Sequence, residues 1–308
     1  MNLSDPAQPS LLRRSLSMLL LTPFLLAVLY PFLWMVFGIF KTNREFFQPL
    51  RLWPMNLLDG EYWSGLADTF FPNEFGLQNV SELLGSKWVS CLHGFLFAGS
   101  APFWDVFGNS LLVSLGQALG AVALSAMAGY AFARFSFRGK RALFVLAIAL
   151  ILIPRQLFAV PLFSWVNALG LSDSLFGVML PGVVTGLGVI YFTQVFRQIP
   201  EEYLQAARIC GAPEFRVFLT LLPLVWPALL SYGMIHFILA WHEHLVPMLV
   251  LTSETQQTLP LALAKLYDVS QRTPQGVQMA ASTFALVPTA VLFAICYRKF
   301  KSSLAEML

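Results

Sequence analysis

Six stretches of this chain run almost without charge for about 20 residues or more, roughly 15–40, 106–133, 142–168, 176–196, 218–242 and 277–297. A helix of that length covers the hydrocarbon core of a bilayer. In lipid each backbone N–H and C=O must find its partner inside the segment, which leaves the helix as the form for such runs. The sequence therefore predicts an all-α, polytopic membrane helical bundle with about six transmembrane helices. Composition agrees: 57% of residues are hydrophobic and 11% are charged, where a soluble domain carries about 25% charged residues. The net charge of +3 is scattered between the apolar runs. Nucleic-acid binders need a clustered basic face, so no nucleic-acid partner is expected.

Proline falls inside several runs, at Pro23, Pro31, Pro154, Pro161, Pro181, Pro223, Pro227 and Pro288. Packed membrane helices tolerate it because neighbours re-satisfy the freed carbonyls. Arg13 and Arg14 precede a run longer than a signal-peptide core of about 7–15 residues, and no small-residue cleavage pattern follows. That run reads as a retained anchor. Short segments rich in Lys and Arg (Arg134, Arg138, Lys140 and Arg141; Arg197, Arg208 and Arg216; Arg298, Lys299 and Lys301) alternate with segments poorer in them. The positive-inside rule then puts both termini in the cytoplasm. The expected divisions are a cytoplasmic N-terminus (1–14), a first span (15–40), an extracytoplasmic region (41–105), a five-span core (106–297) with a cytoplasmic loop at 198–217, and a cytoplasmic C-terminus (298–308). Trp53, Trp63, Trp88 and Trp104 make the 41–105 region too aromatic for a disordered linker, and a folded cap at the membrane surface is expected there.

In the second span Gly116, Gly120, Ser125, Ala126, Ala128 and Gly129 form a small-residue face. Small residues let helices approach closely in lipid, so this face predicts a packing seam within the chain or against a partner. Between spans four and five lies "RQIPEEYLQAARICGAPEFRVFLTLLPLVWPAL". Pro200 favours a helix start, and Glu201 and Glu202 suit the positive end of the helix dipole. Gly211 can take the left-handed conformation that ends a helix. Pro213 and Glu214 then open a second helix running into span five. Two readings fit: a short helix, a glycine elbow and a rigid shaft that transmits force, or an ordinary amphipathic connector at the membrane surface.

"QAARICGA", followed by "LLPLVWPAL", resembles the EAA loop of ABC importer permeases. "YPFLWMVFGIFKTNREFF", "NSLLVSLGQALGAVALSAMAGYAFARFSFRGKRALF", "WHEHLVPMLVLT", "TLPLAL" and "MAASTFALVPTAVLF" resemble, in order, further blocks of the maltose-type carbohydrate permeases. The resemblance implies a permease subunit of an ATP-binding-cassette importer in the cell membrane, moving a sugar or related polyol by alternating access. It implies a coupling helix at Glu201–Gly211, with Glu202, Gln205, Ala206, Ala207 and Pro223 in the coupling element. It also implies ABC ATPase subunits that bind ATP and Mg, a second and different permease chain, and an extracytoplasmic solute-binding protein. No cofactor on this chain and no catalytic residue are expected. Gln205 stands where the family motif opens with glutamate, and Cys210 where an acid usually precedes the glycine. Glu201 and Glu202, one turn upstream, are candidates to replace that charge.

Arg155, beside Pro154 and Gln156 within a span, is the most unusual residue, because a charge at membrane depth faces the bundle interior or a watery path. Its readings are a substrate-pathway contact, or pairing with a kink-freed carbonyl or a partner chain. Gln156, Asn167, Thr185, Gln194, His236, Trp241 and Glu243 are further pathway candidates. His242 and His244 lie two apart and face away from each other on a helix, so no metal site is expected. Gly139–Lys140 lacks the flanking residues of a phosphate loop. Cys91, Cys210 and Cys296 form no CxxC pair and read as structural. A self-contained secondary transporter is the alternative, and it calls for repeats and intramembrane acids.

Overall fold

The computed structural model describes residues 11–41, 46, 103–209, 211–268 and 275–307. The expected cap over 41–105 lies almost wholly outside the described residues. The chain divides into two compact units, 1–88 with 271–284 and 89–270 with 285–308.

In the first unit, α1 (Leu11–Gly38) is a single helix with Pro23 and Pro31 inside it. Only 6% of its apolar window is buried. Its close contacts cluster at the Gly38 end, where Trp34 meets Phe46 edge-to-face and Met279 packs against Gly38.

The second unit is organised on α2 (Phe103–Arg134), a continuous helix of 32 residues. It is followed by α3 (Lys140–Leu152), α4 (Ala159–Ala168), α5 (Leu175–Met179), α6 (Gly186–Arg197), α7 (Glu201–Ile209), α8 (Glu214–Leu221), α9 (Trp226–Trp241), α10 (Leu245–Val250) and α11 (Leu259–Asp268). The last helix, α12 (Gln275–Met307), enters this unit at Ala285. α6 and α9 both pack on α2. The small-residue face makes this possible. A Cβ on Gly129 would sit 2.7 Å from the Phe192 carbonyl carbon, one on Gly120 would sit 2.7 Å from Val183 Cγ1, and Gly188 packs against Ser125 and the Tyr232 hydroxyl. The seam is therefore internal to the chain, and lipid, which gives no hydrophobic drive between helices, leaves this contact to van der Waals fit.

Three spans expected as single helices are broken. The pairs Lys140–Leu152 with Arg155–Ala168, Leu175–Gly182 with Gly186–Arg197, and Glu214–Leu221 with Trp226–Trp241 bend by 103°, 49° and 81°. Counting each pair once gives up to six spans among the described residues, three of them continuous. Each break has a local cause. Ile153 is extended and Pro154 cannot donate to the preceding turn. Beyond Pro181 the chain restarts at Thr185, whose hydroxyl accepts from Gly188 N at 3.1 Å as an N-cap. Pro223 and Pro227 fall within five residues of each other, and turns replace the helix over 222–225.

Candidate functional site

The 197–229 segment folds as a short helix, an elbow and a second helix. Glu201 and Glu202 lie in the first turn of α7 and Arg208 in its last, matching the helix dipole at both ends. The helix ends in a Schellman motif: Ala212 N donates to Ala207 O at 3.3 Å, and Gly211 N donates to Arg208 O at 2.9 Å. Gly211 carries φ +74°, a conformation open to glycine without penalty. Pro213 then caps α8, accepting from Arg216 N and Val217 N.

One face of this element is anchored. Leu204 is fully buried with Val217, Phe218 and Leu221 in a core shared with Tyr130, Phe192, Phe196 and Ile199. Ala207 and Ala212 pack against the same core. The opposite face is open: Glu202, Gln205 and Ala206 are exposed, as are Tyr203, Phe215 and Ile209, the last at 86%. Pro223 lies in the break between α8 and α9, so the expected rigid shaft into span five is a jointed one.

Charge fixes the anchored face further. Arg134, the last residue of α2, has a side chain only 11% exposed and donates to Glu201 at 2.9 Å. It also donates to the carbonyls of Phe196 and Ile199 at 2.6 and 2.5 Å. Arg208 pairs with Glu201 at 3.3 Å and Glu214 at 2.9 Å, and Tyr130 donates to Glu214 at 3.0 Å. The hydrogen bond to Glu214 pushes the Arg208 guanidinium pKa up, against a smaller opposing effect of burial. Glu201 is thus held by two arginines of its own chain, while Glu202 faces outward. Arg134, Arg208, Tyr130 and Glu214 carry this arrangement, yet sequence reasoning used the arginines only for topology.

The pathway candidates divide. Arg155 and Glu243 form an ion pair at 3.0 Å, joining the break after α3 to the end of α9, with the arginine 59% and the glutamate 19% exposed. The other Glu243 oxygen accepts from Leu245 N at 2.9 Å. Gln156 is exposed beside Arg155. His236 is buried and stacked on Tyr232, with Nε2 unpartnered among the described residues. Trp241 is closed in: its indole donates to Ala285 O at 2.9 Å, and its ring stacks on Phe237 and meets Phe107 edge-on. Gln194 is exposed in the last turn of α6, the helix that leads into the coupling segment. Thr185 bonds the Tyr232 hydroxyl, and Asn167 accepts from Ser172.

At the Phe103 end of α2, Asn109 donates to the carbonyls of Thr255 and Gln257 at 2.9 and 3.0 Å, and Ser110 accepts from Leu259 N at 2.6 Å. A small cavity there is lined by Ser110, Ser114, Gln117, Glu243 and Thr258.

A continuous central helix, broken spans and a braced helix–glycine–helix elbow between spans describe a membrane permease. Residues 121–305 match the family described as binding-protein-dependent transport system inner membrane component, and the chain belongs to that family. It is 32% identical over 243 residues to an arabinooligosaccharides transport system permease protein of Halalkalibacterium halodurans, covering 77% of this chain and 85% of that one. It is 26% identical over 240 residues to an sn-glycerol-3-phosphate transport system permease protein of Shigella flexneri, covering 77% and 83%. In fold it is similar to a chain of a bacterial ABC transporter involved in the import of the acidic polysaccharide alginate, with TM-score 0.74, 18% identity, and coverage of 95% and 99%. The chain is a permease subunit of an ATP-binding-cassette importer.

Proposed function

We propose that this subunit forms one half of a pore that carries a sugar or related polyol inward, driven through α7 by a separate ATP-hydrolysing partner. The observation that carries the reading is the two-sided character of α7. Leu204 and the arginine pairs fix one face to the rest of the chain, while Glu202, Tyr203, Gln205, Ala206 and Ile209 stand exposed. A helix held this firmly yet presenting an apolar tip suits a groove on another protein.

In this reading both termini lie in the cytoplasm, ATP and Mg belong to the ATPase, and a second, different permease chain completes the pore. An extracytoplasmic solute-binding protein delivers the solute at the opposite face. Closure of the ATPases around nucleotide rocks the spans between two rigid-body states. The solutes for which the two relatives are named, arabinooligosaccharides and sn-glycerol-3-phosphate, support the carbohydrate and polyol class. Arg155, Gln156 and Glu243 are the pathway residues best supported, being polar, grouped and partly open at a break in a span; His236 stands behind them, and Gln194 and Trp241 fit the path less well.

The test is reconstitution of the chain with its ATPase, second permease and binding protein. ATP hydrolysis should rise when the binding protein is loaded with an arabinooligosaccharide or with sn-glycerol-3-phosphate, and Glu202→Lys with Ile209→Asp should weaken ATPase association. Solute transport by this chain alone, with no nucleotide-hydrolysing companion, would overturn the reading.

A further inference from the structure

We infer that α2 is the rod that carries the stroke of α7 across the membrane, and that Arg134 at one end and Asn109 at the other are the positioning residues that couple it. This rests on the proposed docking of α7 to an ATPase and on the orientation above. The obvious route from α7 runs through α8 into α9, but the chain turns by 81° between them and has no continuous helix over 222–225. A push along α8 is therefore delivered to a joint.

α2 has no such joint. Its 32 residues are one helix, about 48 Å long at 1.5 Å per residue, enough to pass through the bilayer from face to face. At one end the Arg134 guanidinium holds the coupling helix through Glu201 and holds the end of α6 through the Phe196 and Ile199 carbonyls. The Phe196 carbonyl lies at the negative end of the α6 dipole and the Ile199 carbonyl just beyond it, so with the Glu201 carboxylate all three acceptors suit a cation, and charge-assisted bonds of this kind are the strong ones. Tyr130, one turn back on α2, adds the bond to Glu214 across the elbow. The elbow is thus clamped to α2 on both sides of Gly211.

At the other end the clamp is repeated with neutral groups. Asn109 donates to Thr255 O and Gln257 O, and the Ser110 hydroxyl accepts from Leu259 N. These bonds seize the segment between α10 and α11, which lies on the face where a solute-binding protein would rest. Displacement of α7 then reaches 255–259 through one stiff element with two hydrogen-bonded ends.

The experiment uses the reconstituted importer with the native cysteines replaced and Thr255→Cys introduced; Thr255 is exposed and its clamp to Asn109 uses only the backbone carbonyl. The readout is the rate of labelling by a membrane-impermeant maleimide, before and after trapping with ATP and vanadate. Trapping should change that rate by about tenfold, within the usual 5–150-fold range of coupling between sites. Arg134→Gln should reduce the change to within about twofold while the ATPase still co-purifies. Asn109→Ala, at the far end, should do the same, and the double variant should be no worse than either alone, since both act on one route. Should Arg134→Gln fail to assemble, Asn109→Ala with Tyr130→Phe decides the matter. An unchanged trapping response in assembled variants, or additive losses in the double variant, overturns the route through α2. Absence of any ATPase association or nucleotide response in the unsubstituted chain overturns the permease–ATPase reading instead.

Discussion

Replacing Gly129 with alanine tests whether the contact between α2 and α6 is set by backbone approach. The added Cβ would lie 2.7 Å from the Phe192 carbonyl carbon and 2.8 Å from Thr193 N, and closer still to Phe192 Cβ. Ordinary contact begins at 3.4 Å, so the helices must part by about 1 Å to relieve the nearest of these contacts, and neither the two backbone atoms nor the Phe192 Cβ can be moved by a rotamer change. Overpacking of this kind costs about 1–3 kcal/mol. Alanine recovers up to about 1 kcal/mol through its better helix propensity, leaving a net loss of about 0–2 kcal/mol. Gly108, on the same helix, is the control: nothing lies within 4 Å of its added Cβ, so Gly108→Ala should be neutral or stabilising by up to about 1 kcal/mol. The difference between the two variants isolates the clash from the propensity common to both. Reversible denaturant unfolding of the purified protein in detergent, followed by circular dichroism, measures it. Equal stability of the two variants would refute the backbone-contact argument.

Three further outcomes are expected. Gly211 has open space but φ +74°, so uptake should rank Gly211 above Asn, Ala and Val replacements, with Gly211→Val costing about 1–2 kcal/mol locally; equal uptake by all four would count against a conformational role. Burial tends to raise the Asp173 carboxyl pKa, but bonds from the Ser253 hydroxyl and the Ser253 and Thr252 amides outweigh it and hold it below its ordinary value of 3.8. That stabilisation is fully present above about pH 4 and vanishes as pH falls through the lowered folded-state value, so Asp173→Asn should flatten the acid limb of a melting-temperature profile. Arg155→Ala removes the partner of Glu243 at the break after α3 and should lose uptake; normal uptake would remove Arg155 from the pathway.

The six spans and the elbow were legible in the chain because both rest on local signals: long apolar runs, and Pro200, Gly211 and Pro213 at the helix boundaries. The breaks were not, because proline alone does not decide them. Pro23, Pro31 and Pro288 lie within continuous helices, while Pro154, Pro181 and Pro223 sit at or beside bends. At the bends proline has company: an extended Ile153, a capping Thr185 among Gly182, Gly186 and Gly188, or a second proline at 227. The arginine clamp was hidden for another reason. Arg134 and Glu201 are 67 positions apart, and nothing in either neighbourhood reports that the end of α2 returns to the start of α7. Gln205, the departure from the family motif, is exposed, whereas Glu201, a candidate to replace its charge, is already paired within the chain.

The bent third span has a consequence for biogenesis. α3 is 13 residues long and reaches about 20 Å, two thirds of a hydrocarbon core of about 30 Å. It cannot leave a translocation channel as a finished crossing, and the α3 carbonyl left without a donor because Pro154 has no N–H would meet acyl chains if it tried. Its partner for that moment is α6, which packs on it but is synthesised later. The nascent chain must therefore hold residues 140–168 at the channel, or in some protected vestibule, until Gly186–Arg197 has emerged to complete the fold.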